Sequence, residues 1–167
     1  VLFAASAQTA FVHQNIGGVT HNRIEVTPSL VDLSHVKTKP ATTSETLRIG
    51  CIGLVSESKG SHLAIQAVLQ GADNWQLTFY GSVHPKSQDL VDTAVQGSNK
   101  KIKLHGRFER RELNSILSEI DVLLVPSIWD ETYGINADEA MTAGIPVVAA
   151  KIGGLQLRIF HGINGYV

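Results

Sequence analysis

One cysteine in 167 residues removes two kinds of explanation at once. An intrachain disulfide needs two thiols and a cysteine-built zinc site needs more, so neither is open to Cys51, which lies in an apolar run. A lone thiol is compatible with a reducing compartment without proving one. The seven histidines show neither H-x-H nor H-E-x-x-H spacing, so no metal site can be argued from them. An excess of charge of one sign is also missing. Fourteen Lys plus Arg against 15 Asp plus Glu leave a net charge of -1, with no field built for nucleic acid or an anionic membrane, and any bound anion must be held locally. The opening Val1-Leu2-Phe3-Ala4-Ala5-Ser6-Ala7 is apolar but lacks a basic leader and falls far short of the ~20 residues a spanning helix needs. It is expected to be core structure. No repeat of fixed period stands out, which disfavours a solenoid.

What is present reads as an ordinary globular chain: 43% hydrophobic and 17% charged residues, long enough for one domain with a real core. Arg23 to Val26 alternate like a short strand ended by Pro28, and the stretch to about Glu45, with Ser34, Thr38, Pro40, Thr42, Thr43 and Ser44, reads as a linker. From Leu47 the pattern becomes regular. Strand Leu47–Ile52 leads to Lys59-Gly60-Ser61 and a helix with Ala64, Ala67 and Val68 on one face, Ser61 being the expected N-cap. Strand Trp75–Tyr80 and Gly81 precede a helix from about Pro85 that carries Leu90, Val91, Ala94 and Val95. Strand Ile102–Leu104 passes through Gly106 to a helix with the stripe Leu113, Ile116, Leu117 and Ile120. Strand Val122–Val125 leads to a helix opening near Gly134. Gly144 and Pro146 close that helix and introduce a fifth strand, Val147–Ala150, and Asn164-Gly165-Tyr166-Val167 reads as a turn and the first residues of another. Repeated βα units with near-continuous apolar strands predict an α/β fold, a Rossmann-like doubly wound parallel sheet covered on both faces.

Chemistry concentrates in two loops at the expected carboxyl ends of strands, where open α/β sheets bind ligands. In the first, Gly53 lets a ligand approach the backbone, Lys59 offers a point charge, and the following helix start favours an anion. The run matches neither G-x-G-x-x-G nor the Walker pattern, which argues against the standard dinucleotide and P-loop readings. A turn glycine beside a solvated lysine explains it equally well. In the second, Glu131 and Glu139 bracket Thr132-Tyr133-Gly134-Ile135 with seven residues between them. Carboxylates accept hydrogen bonds from vicinal sugar hydroxyls, while the Tyr133, Gly134 and Ile135 amides near a helix N-terminus can hold phosphate oxygens. On spacing alone, Asp130, Glu131, Asp138 and Glu139 can instead simply complement the helix dipole, worth ~0.3 to 1 kcal/mol each.

The order Val125-Pro126-Ser127, Glu131, Tyr133-Gly134, Glu139-Ala140-Met141, Ala143-Gly144, Pro146-Val147-Val148, Gly153-Gly154 and Asn164-Gly165 resembles the carboxyl-terminal domain of retaining glycosyltransferases of the GT-B fold, family four. Gly53 and Lys59-Gly60 resemble that family's first phosphate-contacting loop, and Leu104-His105-Gly106 with Leu113 its third unit. The resemblance covers about residues 47–167 and continues faintly through Ser6, Ile24-Glu25-Val26 and Asp32. It implies that residues 1–45 are the end of an amino-terminal, acceptor-side domain and the interdomain linker. Residues 46–167 would be the nucleotide-sugar-binding domain, truncated at its carboxyl end, the whole a piece of a longer protein.

The same resemblance implies roles. Glu139 would hold the ribose of a nucleotide diphosphate sugar and Glu131 the sugar hydroxyls. Lys59 would meet the diphosphate, so that Glu131 and Lys59 are the expected catalytic residues. Gly53, Phe108, Thr132, Tyr133, Gly134 and Ile135 complete the expected donor site, with Arg107 beside Phe108 near the base. The implied activity is a hexosyltransferase moving sugar to a sugar or lipid-linked acceptor carried by the other domain, without metal or cofactor, and with no nucleic-acid partner. Its implied location is cytoplasmic or peripheral to the inner face of the membrane, any membrane contact being made through the other domain. The isolated piece is expected to be inactive. One departure matters: where the family carries an arginine after the glycine of the first loop, this chain has Leu54. Arg107 and Arg110 are the candidates to replace that charge, and a non-catalytic nucleotide-sugar-binding or interaction module is the alternative function.

Overall fold

The computed structural model describes residues 2–18, 24–27, 31–41 and 43–167. Val1, Arg23, Pro28 and Thr42, used above for the opening run, the first strand and the linker, lie outside the described residues. A two-stranded parallel ribbon comes first, β1 (Leu2–Ala4) paired with β2 (Ile24–Val26), with α1 (Ala7–Asn15) between them. Ser6 caps α1 by accepting from Thr9 N at 3.2 Å. The opening run is core only in part. Ala4 and Ser6 are buried, but Leu2 and Phe3 are exposed because, among the described residues, a ribbon of two strands has no second layer over them.

The remainder is a six-stranded, all-parallel sheet built from β3 (Leu47–Ile52), β4 (Trp75–Tyr80), β5 (Ile102–Gly106), β6 (Val122–Val125), β7 (Val147–Ala149) and β8 (Gly165–Tyr166). The spatial order is β5-β4-β3-β6-β7-β8. The chain therefore winds outward from β3 in one direction, returns to β6 at β3's other edge, and winds outward again. Residues alternate across each strand, and the two faces carry separate cores. On one face Ile49, Leu77, Phe79 and Ile102 pack with Ala64, Ile65 and Val68 of α2 (Ser61–Gln70) and Val91 and Ala94 of α3 (Gln88–Gly97). On the other, Leu123, Val125 and Val147 pack with Leu113, Ile116 and Leu117 of α4 (Leu113–Glu119) and Ala137 and Ala140 of α5 (Ile135–Thr142). The doubly wound sheet expected from the strand pattern is present.

Local expectations shift in four places. Ser61 is the first helical residue of α2 rather than its cap: Gly60 occupies that position, and the Ser61 hydroxyl accepts from Ser56 N at 3.0 Å instead. The buried face of α2 uses Ile65, while Ala67 is exposed, and Leu90 of α3 is exposed beside buried Val91. Pro85 opens a separate 3-10 turn, Pro85–Ser87, ahead of α3.

The linker has neither helix nor strand over its described residues 31–41, yet it is fastened to the second unit. Lys37 N donates to Asn114 Oδ1 and Asn114 Nδ2 to His35 O, both at 2.9 Å, and Lys39 N donates to Ala143 O at 2.8 Å. Lys39 Nζ reaches Ile120 O and Asp121 Oδ1 at 2.6 Å each. Asp121 also accepts from Arg48 N, Nε and Nη2, so one carboxylate joins the linker, β3 and the start of β6. The Arg48 guanidinium, helped by Lys39, holds the Asp121 carboxyl well below the usual carboxylate range.

Candidate functional site

The reversal of winding between β3 and β6 leaves a crevice beyond their carboxyl ends, and there a cavity of about 580 Å³ opens. That size suits a small ligand. Its floor is Cys51 and Ile52 of β3 with Leu124 and Val125 of β6. Burial pushes the Cys51 thiol up to about 12, too high for it to supply a thiolate near neutral pH.

Two loops form the walls, and backbone contacts lock them together. Ile128 N and Trp129 N, after β6, both donate to Ser58 O, before α2, at 3.0 and 3.1 Å. Gly60 makes this approach possible. It holds φ at +68°, and a Cβ there would stand 1.9 Å from Pro126 O. The close passage carries Lys59 to the second loop, where its Nζ lies 2.6 Å from Glu131 Oε1. The same oxygen accepts from Ser127 Oγ at 2.6 Å. Glu131 is backed by Gly154 N, which donates to Glu131 O at 2.6 Å.

Gly134 turns the chain into α5 with φ +77° and no side-chain cap, so the helix start is open toward the cavity. A Cβ at Gly134 would stand 2.6 Å from Leu155 Cδ2. Asn136 Nδ2 donates to Ile52 O at 2.8 Å and ties the first turn of α5 to the end of β3. Tyr133 lies under Arg158, whose guanidinium carbon is 4.1 Å from the ring centroid, and Arg158 also pairs with Asp138. Glu139, one turn further along α5, is only 3% exposed. Arg110 pairs with it from the first residue of the 3-10 turn Arg110–Glu112, which a reciprocal Glu109–Glu112 capping box fixes ahead of α4.

Of the residues expected in the site, all but Arg107 line this one cavity: Gly53, Lys59, Phe108, Glu131, Thr132, Tyr133, Gly134, Ile135 and Glu139. Beside any complement to the helix dipole, Glu131 and Glu139 each pair with a cation and both line the cavity. Arg107 is elsewhere, its Nε donating to Ser82 Oγ at 2.7 Å. Ser127, Asn136 and the pairing of Arg110 with Glu139 escape sequence reasoning. Only the double arginine just ahead of the Leu113 stripe gives a signal for the last. Among the described residues no group of three or more His, Cys, Asp or Glu could hold a metal ion, and no helix is long and apolar enough to cross a membrane.

A parallel sheet of this winding, opening at its switch point onto a cavity lined by an uncapped helix start and two carboxylates, is a Rossmann-like domain of the GT-B class. The chain belongs to the family "Glycosyl transferases group 1", whose pattern it matches over residues 46–167. Among curated relatives, the 2-deoxystreptamine glucosyltransferase of Streptomyces kanamyceticus is 29% identical over 152 residues, covering 83% of this chain and 39% of that protein. The D-inositol 3-phosphate glycosyltransferase of Xylanimonas cellulosilytica is 30% identical, covering 98% and 43%. The chain thus spans about two fifths of the length of these relatives. The solved structure of Anabaena HepE in complex with UDP and glucose superposes with a TM-score of 0.83 at 27% identity, covering 99% of this chain and 48% of that one.

Proposed function

We propose that residues 46–167 are the donor-binding domain of a retaining hexosyltransferase, and that residues 1–45 are the end of its acceptor-side domain and the linker. The observation that carries this reading is the convergence of Lys59, Glu131, Glu139 and the uncapped start of α5 on one cavity at the switch point. A relative of the same fold holds UDP and glucose, which supports a nucleotide diphosphate sugar as the ligand.

In this reading Glu139 accepts from the ribose hydroxyls and Glu131 from those of the transferred sugar. Lys59 and the Tyr133, Gly134 and Ile135 amides hold the diphosphate, Gly53 gives it room, Thr132 lies along it, and Phe108 lies by the base. The bond between the anomeric carbon and the diphosphate oxygen breaks. A bond from the acceptor hydroxyl oxygen to that carbon forms on the same face, and the hydroxyl proton passes to the leaving phosphate. Preorganised donors aimed at the leaving group supply the main stabilisation, so this reading needs neither metal nor cofactor. The acceptor, a sugar or lipid-linked hydroxyl, is held by the other domain of a cytoplasmic enzyme, and this chain alone turns over little. Calorimetry with UDP, GDP and ADP sugars tests the reading: one of them binds, and Glu139→Ala weakens it. Absence of binding to all three, with Glu139→Ala making no difference, sinks it.

Leu54, 45% exposed at the cavity where the family's arginine would stand, favours a second reading: a module that binds nucleotide sugar without transferring it. Leu54→Arg in the complete two-domain protein separates the two. A gain in transfer marks a weakened enzyme, and continued inactivity marks the module.

A further inference from the structure

The donor cavity has two cations on its wall, Lys59 and Arg110, and each is paired with one of the two glutamates. The ligand read above brings a diphosphate and neutral hydroxyls. The hydroxyls satisfy the carboxylates without charge, while the diphosphate demands positive charge that Leu54 does not give. Of the arginines near this wall, Arg107 is bound to Ser82 and Arg158 is stacked on Tyr133 and paired with Asp138, and neither lines the cavity. Arg110 does line it, and its side chain is 56% exposed although its backbone is fixed by the capping box. Its reach is set by α5. Glu139 stands four residues beyond Ile135, about 6 Å along the helix axis, so a guanidinium seated on Glu139 is about one helical turn from the open helix start. A guanidinium carries five N–H donors, of which Nη1 meets Glu139 and Nη2 meets His35 Nε2 at 3.1 Å. Donors remain for an anion without abandoning Glu139.

We propose that Arg110 is the second diphosphate-binding cation of this site, bridging Glu139 and the donor's diphosphate and replacing the charge absent at Leu54. The proposal rests on the nucleotide-sugar reading and adds a residue to it. The Arg110–Glu139 pair keeps the buried carboxylate compensated. With ligand, the guanidinium's flat fork suits phosphate oxygens better than an ammonium would.

The test is calorimetry of the chain with UDP, GDP and ADP and with the matching monophosphates. Arg110→Met is expected to weaken the best diphosphate by about tenfold, as loss of a charge-assisted contact implies, while changing monophosphate binding by less than about threefold. Arg111→Met is the control, since Arg111 is 80% exposed, pairs with Glu109 and is not on the cavity wall. Adding Leu54→Arg to Arg110→Met should restore the preference for diphosphate. Arg110→Lys, which preserves the charge, should lose that preference only in part and covers the case in which Arg110→Met does not fold. Equal weakening of mono- and diphosphate in both Arg110 variants would reduce Arg110 to a holder of Glu139 and overturn the proposal. Unchanged binding in both would also overturn it, with the nucleotide-sugar reading left standing. No nucleotide binding by the unaltered chain would remove both.

Discussion

Lys59 Nζ and Glu131 Oε1 stand 2.6 Å apart across the mouth of the cavity, although 71 residues separate them in the chain. The two groups proposed to meet opposite parts of a donor, its diphosphate and its sugar, are thus paired with each other. A donor would compete with this contact, and each partner's removal has a different signature. Glu131→Ala frees Lys59, so UDP itself should bind as well or better, whereas a UDP sugar should lose its advantage over UDP. Lys59→Ala should weaken both by about tenfold, the scale of one lost charge-assisted hydrogen bond. Calorimetric titration of both variants with both ligands checks the pattern, and a parallel loss in all four cases would contradict the division of labour.

Glu139 supplies a second prediction because it is buried and the acceptor role proposed for it is chemically narrow. A carboxylate that accepts from ribose hydroxyls, as proposed, discriminates ribose from 2′-deoxyribose, since the deoxy ligand withholds one donor from a charged acceptor. The unaltered chain should prefer UDP over 2′-deoxy-UDP by about 1 to 3 kcal/mol. Glu139→Ala should abolish the preference while lowering affinity for the ribonucleotide. Competition binding with the two nucleotides measures it directly.

The parts of this site legible in the sequence were those governed by local pattern. The strand that ends at Val125, the turn at Gly134 and the carboxylates of Glu131 and Glu139 announce themselves by period, glycine and spacing. Sheet order is not local, and so the sequence could place Lys59 and Glu131 at the ends of strands without showing that β3 and β6 are neighbours. Arg110 was less legible still. It lies in a turn between β5 and α4 and reaches α5 only because both elements pack on the same face of the sheet. The linker is similar: its composition reads only as a connection, but Lys39 is fixed by Asp121 and the Ile120 carbonyl, a contact across 82 positions in the chain in the first case.

Gly60 couples backbone geometry to the site, which yields a third prediction. Its left-handed φ and its approach to Pro126 O leave no place for a Cβ. Gly60→Ala should destabilise the fold by about 3 kcal/mol, combining strain with a clash against main chain that cannot rotate away. Because the same passage aims Lys59, the fraction that folds should bind UDP more weakly. Chemical denaturation gives the first quantity and calorimetry the second. A variant of normal stability would mean that the two loops separate at little cost.

Asp121 makes stability depend on acid. Its native carboxyl is held below the ordinary value by Arg48 and Lys39, so the native state binds this proton less readily than the unfolded chain does. The stabilisation is therefore present above the unfolded value of about 3.9 and is lost as pH falls from there through the native value. Asp121→Asn removes the charge from a contact with three donors of Arg48 and one of Lys39. At pH 7 it should cost about 2 kcal/mol, typical of leaving a charged donor without its acceptor. Between pH 5 and pH 3 the unaltered chain should lose stability more steeply than the variant, so the gap between them narrows toward acid. Urea denaturation at pH 7, 5 and 3 measures that gap, and a constant difference would show that Asp121 acts through shape rather than charge.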